Sequence, residues 1–204
     1  MDQAFFVTAF VTLFVIVDPI GLTPMFIALT RGMDAGERRA VALRACLTAA
    51  ILLCVFAGLG EQVLGFVGIS MPAFRIAGGV LLFLTALDML FERRARRRED
   101  QTGEERPDPS VFPLGMPLIA GPGSIATVIL LAGQRPGLEG LALVVAVMLA
   151  VLAVVLAMFL ISGLLARLLG RTGINVVTRL LGMLLAALSV QFILDGLRDF
   201  GFAG

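Results

Sequence analysis

The chain reads as an all-α transmembrane protein: six spans forming two inverted-topology three-helix repeats, with the first helix of each half broken. Three observations predict this: the composition, the spacing of the apolar runs, and a pattern shared by the third and sixth runs. Of 204 residues 59% are hydrophobic and 15% charged, with a mean hydropathy of +1.01. A water-soluble globule of that composition would have too little polar surface to cover itself. Apolar runs of about twenty residues, each able to cross about 30 Å of hydrocarbon as a helix, recur along almost the whole length. Barrel strands would show short alternating segments instead.

The spans are expected at Ala4–Thr30, Ala40–Gly60, Met71–Phe91, Val111–Ala132, Leu141–Leu165 and Val176–Leu194. They divide the chain into a first membrane repeat (1–92), a charged cytoplasmic linker (93–110) and a second, inverted repeat (111–204). The start "MDQAFF" lacks the basic region and small-residue cleavage site of a secretory signal, so the first run is kept as a span. Arginines follow the first, third and fifth spans: Arg31, Arg38 and Arg39, then Arg93, Arg94, Arg96, Arg97, Arg98 and Arg106, then Arg167 and Arg171. The opposite side receives only Arg135 and Arg198. Arginines near span ends are retained in the cytoplasm, so both termini are expected on the non-cytoplasmic side. The run "RRARRR" suits anionic lipid headgroups or nucleic acid. Acidic residues follow it at once and no aromatic residue interleaves, so it reads as a topology anchor with no nucleic acid partner.

The third span opens "GISMPAFRIAGGVLLFLTALDML" and the sixth "GINVVTRLLGMLLAALSVQFILDGL". In both, Gly-Ile is followed by an arginine, Arg75 or Arg179, and then by a glycine three residues on. With a single-residue gap the halves match, and three helices per half force the second to enter the membrane upside down. The first span then pairs with the fourth. "VIVDPIGLTPMF", Val15–Phe26, and "PLIAGPGSIATVI", Pro117–Ile129, are both interrupted by Pro and Gly. Broken helices are tolerated at membrane depth only where the freed backbone groups meet protein or water, so the two breaks are expected around an interior cavity.

Asp18 or Thr23 can cap a turn beginning at Pro19 or Pro24, and Gly121 with Pro122 and Ser124 can do the same in the other half. A restarted helix aims free N–H groups and a positive dipole end at an anion such as a carboxylate. Asp18 suits an ammonium group, a coupling proton or a cation, and a zwitterion satisfies both kinds of partner. The expected substrate-binding residues are Asp18, Pro19, Gly21, Thr23, Pro24, Gly121, Pro122, Gly123, Ser124 and Thr127. A purely structural role for Asp18, capping the half-helix, stays open beside this. Arg75 and Asp88 on the third span, with Arg179 and Asp195 on the sixth, are candidates for a gate or ion pair, although side chains near span ends can also reach the headgroups. Arg44 fits that snorkelling role. Thr85, Ser189 and Gln191 can line the cavity or bond to backbone, and Gly78 with Gly79 marks a close helix contact.

The chain has no His, Lys, Trp or Tyr, and its two cysteines, Cys46 and Cys54, lie two turns apart on one apolar run. Neither a disulfide within that helix nor a zinc, haem or iron–sulfur site is expected. No cofactor and no enzymatic activity are expected, since His, an activated Cys and any metal cluster are missing and the candidate carboxylates lie too far apart in sequence to pair without assuming the fold.

"DPIGLTPMF", "RIAGGVLLFLTALDML", "PLIAGPGSIATVILLA" and the final "DGL" resemble the MarC family of six-span bacterial inner-membrane proteins, along nearly the whole chain. The family usually carries Asn between that first glycine and the second proline, where Leu22 and Thr23 stand here. Some relatives are described as neutral amino acid transporters. The resemblance therefore implies a multi-pass protein of the bacterial inner membrane. With the broken helices it points to a secondary transporter or exporter of small zwitterionic metabolites, working by alternating access. Its partners would be the lipid bilayer, a small-molecule substrate and a coupling proton or cation. Six spans are few for a monomeric transporter, which makes a homodimer reasonable. A passive channel for a small solute or ion, and a non-transporting assembly subunit, are the alternatives.

Overall fold

The computed structural model describes residues 2–91 and 108–202. Most of the expected linker lies outside them. Among the described residues the regular structure is entirely helical. Helix α1, Asp2–Val17, and α2, Pro19–Leu29, together make one apolar span interrupted at Asp18. Helix α3, Ala35–Val67, has 33 residues, far more than the expected Ala40–Gly60. Its polar first turn is held by a capping box in which Asp34 Oδ1 accepts from Glu37 N at 2.8 Å and Glu37 Oε2 accepts from Asp34 N at 2.9 Å. At the far end nothing breaks it until Gly68, whose φ of 80° suits glycine. Helix α4, Met71–Leu90, starts from a Ser70 cap with Pro72 in the first turn.

Segment α5, Ser110–Ile119, is wound in wide turns, with Leu114 N donating to Pro109 O at 3.2 Å and Ala120 N to Gly115 O at 3.0 Å. Phe112 and Met116 are extended inside it because each precedes a proline. Helix α6, Pro122–Gln134, leaves it at a bend of 57°. Helix α7, Leu138–Leu160, is followed by α8, Ser162–Asp199, which Gly170 interrupts at φ 60° and ψ −179°. The fifth span thus stops short of Leu165, and the membrane part of α8 is Thr172–Asp199. Five spans are continuous or nearly so, and the bent α5–α6 pair makes six if it crosses as one.

Two apolar clusters organise the packing. One joins α1, α2, α3, α5, α6 and α7; the other joins α1, α4, α6 and α8 through Ile16, Leu82, Ala86, Met89, Leu130 and Leu185. The two interrupted spans are therefore central, with α3 and α7 on one flank and α4 and α8 on the other. Helices α4 and α8 run antiparallel at close range. A Cβ on Gly79 would stand 2.7 Å from Ile193 Cγ1 and 2.8 Å from Ser189 O, and one on Gly196 3.0 Å from Pro72 O. Such approach is the main source of helix association in lipid, where burial of apolar area between helices gains little. The lipid-facing stripe of α3, Leu43, Leu47, Ile51, Val55, Leu59 and Val63, recurs every four residues, and Arg44 and Glu61 bound its uncharged stretch.

Gly79→Ala should destabilise the protein by about 1–3 kcal/mol, because the new methyl meets backbone that cannot step aside. Gly58→Ala, which meets no atom within 4 Å, should leave the melting temperature unchanged or slightly raised. Thermal unfolding of both purified variants checks the contrast.

Candidate functional site

The first break is a restart rather than an unwinding. Asp18 takes φ 54° and ψ 65°, a left-handed conformation that Asp tolerates better than most residues. Pro19 lacks an N–H, yet the ladder continues around it: Asp18 N donates to Phe14 O at 2.9 Å, and Leu22 N to Asp18 O at 3.0 Å. Gly21 N, displaced from the ladder, donates to Asp18 Oδ1 at 3.0 Å. The carboxylate folds so tightly over that turn that a Cβ on Gly21 would lie 2.7 Å from Asp18 Cγ and overlap Oδ2. Asp18 is fully buried. Thr23 is not a cap: its hydroxyl donates to Pro19 O at 3.1 Å, and Pro24 lies inside α2.

The second break is built differently. Gly121 is the N-cap of α6, extended at φ −82° and ψ 170°, and no side chain caps the helix. Pro122 fills the first position, and Ile125 N donates to Gly121 O at 2.9 Å to begin the ladder. Ser124, expected to assist the cap, donates backward to Ile119 O at 2.9 Å instead. The N–H groups of Gly123 and Ser124 have no intrahelical carbonyl to meet, so the positive end of α6 is exposed to whatever adjoins it.

The two breaks are neighbours. A Cβ on Gly123 would be 3.3 Å from Ile16 Cγ2, two residues before Asp18, 3.3 Å from Leu82 Cδ2 and 3.9 Å from Thr85 Oγ1. Thr127 lies one turn further along α6, fully buried, with its Oγ1 bonded to no protein group. Thr12, Thr23, Thr30 and Thr85 each donate to the carbonyl four residues back. Ser189 donates to Ala186 O.

The four candidate gate residues are distributed by the antiparallel α4–α8 pair. Arg75 lies at the end where α8 finishes, and it forms its ion pair with Asp199. Asp195 Oδ1 accepts from Gln191 Nε2 at 2.8 Å. Asp88 and Arg179 lie toward the other end. Asp199 was beyond sequence reasoning because it follows the expected end of the sixth span by five residues. Arg44, read as a snorkelling side chain, pairs with Asp108 at 3.0 Å, and both are largely exposed. Two arginines read only as topology charges make specific contacts. Arg38 Nη2 donates to Ser162 Oγ at 3.0 Å and sits over the Phe26 ring, while Arg135 sits over Phe5 at 4.8 Å.

Apolar spans with two interrupted helices abutting in their interior define a multi-pass α-helical integral membrane protein. The chain belongs to the MarC family of integral membrane proteins, whose profile matches residues 3–200. A UPF0056 membrane protein of Aquifex aeolicus is 40% identical over 95% of this chain and 92% of its own length. UPF0056 membrane protein YvbG of Bacillus subtilis is 36% identical over 97% and 96%. The inner membrane protein YhgN of Escherichia coli is 37% identical over 94% and 95%. No solved structure matches the chain.

Gly21→Ala should force the Asp18 carboxylate out of its turn and cost about 1–3 kcal/mol. Asp18→Ala, which deletes the cap and puts at φ 54° a residue less suited to it, should cost about 1–3 kcal/mol, and Asp18→Asn, which keeps both, much less. Melting temperatures of the three variants in detergent give the order.

Proposed function

We propose that the protein is a secondary transporter of small zwitterionic metabolites, neutral amino acids foremost, with its site between the Asp18 turn and the start of α6. The observation that carries this is the juxtaposition, in the buried centre, of a carboxylate-bearing turn with a helix start that no side chain caps. The Gly123 and Ser124 N–H groups and the Thr127 hydroxyl suit a substrate carboxylate; Asp18 suits its ammonium group or a coupling proton. Such a pair favours zwitterions over simple acids or amines. A carboxylate costs about 2.5–3.5 kcal/mol to place at the bilayer centre on insertion scales, which argues for a role beyond closing one turn.

Helices of the same rank in each half lie side by side, second with second (α3, α7) and third with third (α4, α8), while the broken first spans meet in the middle. This supports reading the halves as inverted repeats that rock about the central site. The arginine distribution supports termini on the non-cytoplasmic side.

Counterflow of labelled glycine or alanine in proteoliposomes, with and without a proton gradient, tests the reading. Saturable uptake is expected, reduced about tenfold in Asp18→Asn at neutral pH, a loss equivalent to about 1.4 kcal/mol of binding. Absence of uptake of any amino acid under either condition would overturn it, and flux that never saturates would indicate a passive pore. Transport by Asp18→Asn that is unchanged at every pH would confine Asp18 to capping.

A further inference from the structure

The end of the molecule where α2 finishes and α3 begins is closed by a compact group of side chains drawn from both halves. Phe26 and Phe159 stack with ring centroids 4.3 Å apart and planes 6° from parallel, and both are buried. Arg38 lies over the Phe26 ring at 5.8 Å and donates to Ser162 Oγ at 3.0 Å. Ser162 is itself fully buried, at the first residue of α8. Phe26 and Arg38 belong to the first half, Phe159 and Ser162 to the second.

We infer that this group is the latch of a gate over the central site, resting on the transporter reading above, with Ser162–Leu169 as its moving arm and Gly170 as its hinge. Three features favour this end over the opposite one. Phe26 is eight residues from Asp18, about 12 Å of helix, whereas Phe5, closed by Arg135 at the other end, is thirteen residues away, about 20 Å. The barrier is thinner here. The Arg75–Asp199 contact at the opposite end lies within the α4–α8 pair, whose glycines hold the two backbones together. At the latch, by contrast, Gly170 takes φ 60° and ψ −179°, a conformation open essentially to glycine alone, and no atom stands within 4 Å of the Cβ it lacks. Packing does not require glycine there; the backbone turn does. Arg38 holds the arm by a charge-assisted hydrogen bond at the aqueous boundary, where either partner can be rehydrated on release.

The test is the rate at which a charged, membrane-impermeant methanethiosulfonate modifies a cysteine below the latch. Thr23→Cys, one turn from Phe26 toward Asp18, serves as reporter in full-length protein in lipid nanodiscs, with Cys46 and Cys54 replaced by alanine. Modification should be slow in the reporter chain and about tenfold faster with Arg38→Ala or Ser162→Ala, equivalent to about 1.4 kcal/mol in the opening equilibrium. Arg38→Lys should fall between, and Arg75→Ala should leave the rate unchanged. Unchanged rates with both Arg38→Ala and Ser162→Ala, at melting temperatures matching the reporter chain, would overturn the proposal. Acceleration by Arg75→Ala as large as that by Arg38→Ala would overturn it too. The readout needs no substrate. Labelling that responds in a protein moving no amino acid would leave the latch standing and the transport reading fallen, and saturable transport with unresponsive labelling would do the reverse.

Discussion

In hydrocarbon a peptide group has no solvent to bond with, so a span can be interrupted only where its own chain or a neighbour supplies the missing partner. The hydrogen bond from Gly21 N to the Asp18 carboxylate meets that requirement at the first break. It lets α1 and α2 continue as one rod despite Pro19, and it leaves a fully buried carboxyl group in the middle of the protein. The remaining architecture is arranged around that group. Both apolar clusters include α1, and the start of α6 is brought against it with an unspent positive end.

The halves thus solve one problem in two ways, and the difference gives the centre a direction. At α2 the side chain and the backbone satisfy each other locally. At α6 the capping role falls to a glycine with nothing to offer, and Ser124 turns back to Ile119. One break carries a carboxyl group folded over its own turn and the other a helix start that no side chain caps, so the two differ in chemistry as well as in backbone.

Much of this was legible in the residues. Six hydrophobic runs correspond to the five spans and the bent α5–α6 pair, "DPIG" and "AGPG" marked where the rods break, and Gly78 and Gly79 marked a tight helix contact, because proline, glycine and apolar length act locally. The extent of α3 was hidden, since its first turn is polar and stands on a capping box that a hydropathy reading places in the loop. The wide turns of α5 were hidden as well. Pro113 and Pro117 announce irregularity without specifying how the carbonyls between them are used. Pairing was least accessible: nothing in the spacing of Arg75 distinguishes Asp199 from Asp88, and Arg38 looked like any other loop charge. Those choices follow from which helices lie side by side, a property of the assembled bundle.

The length of α3 has a further consequence. At 33 residues the helix measures about 50 Å, against about 30 Å of hydrocarbon, and the uncharged stretch between Arg44 and Glu61 measures about 25 Å. The two ionic residues can both sit at headgroup level only if the helix stands almost upright, with the polar turn at its start, residues 35–39, reaching into water. That rod works as a draught mark on a hull. It sets how deeply the whole bundle floats in the bilayer, and with it how far the two central breaks lie from each bulk phase.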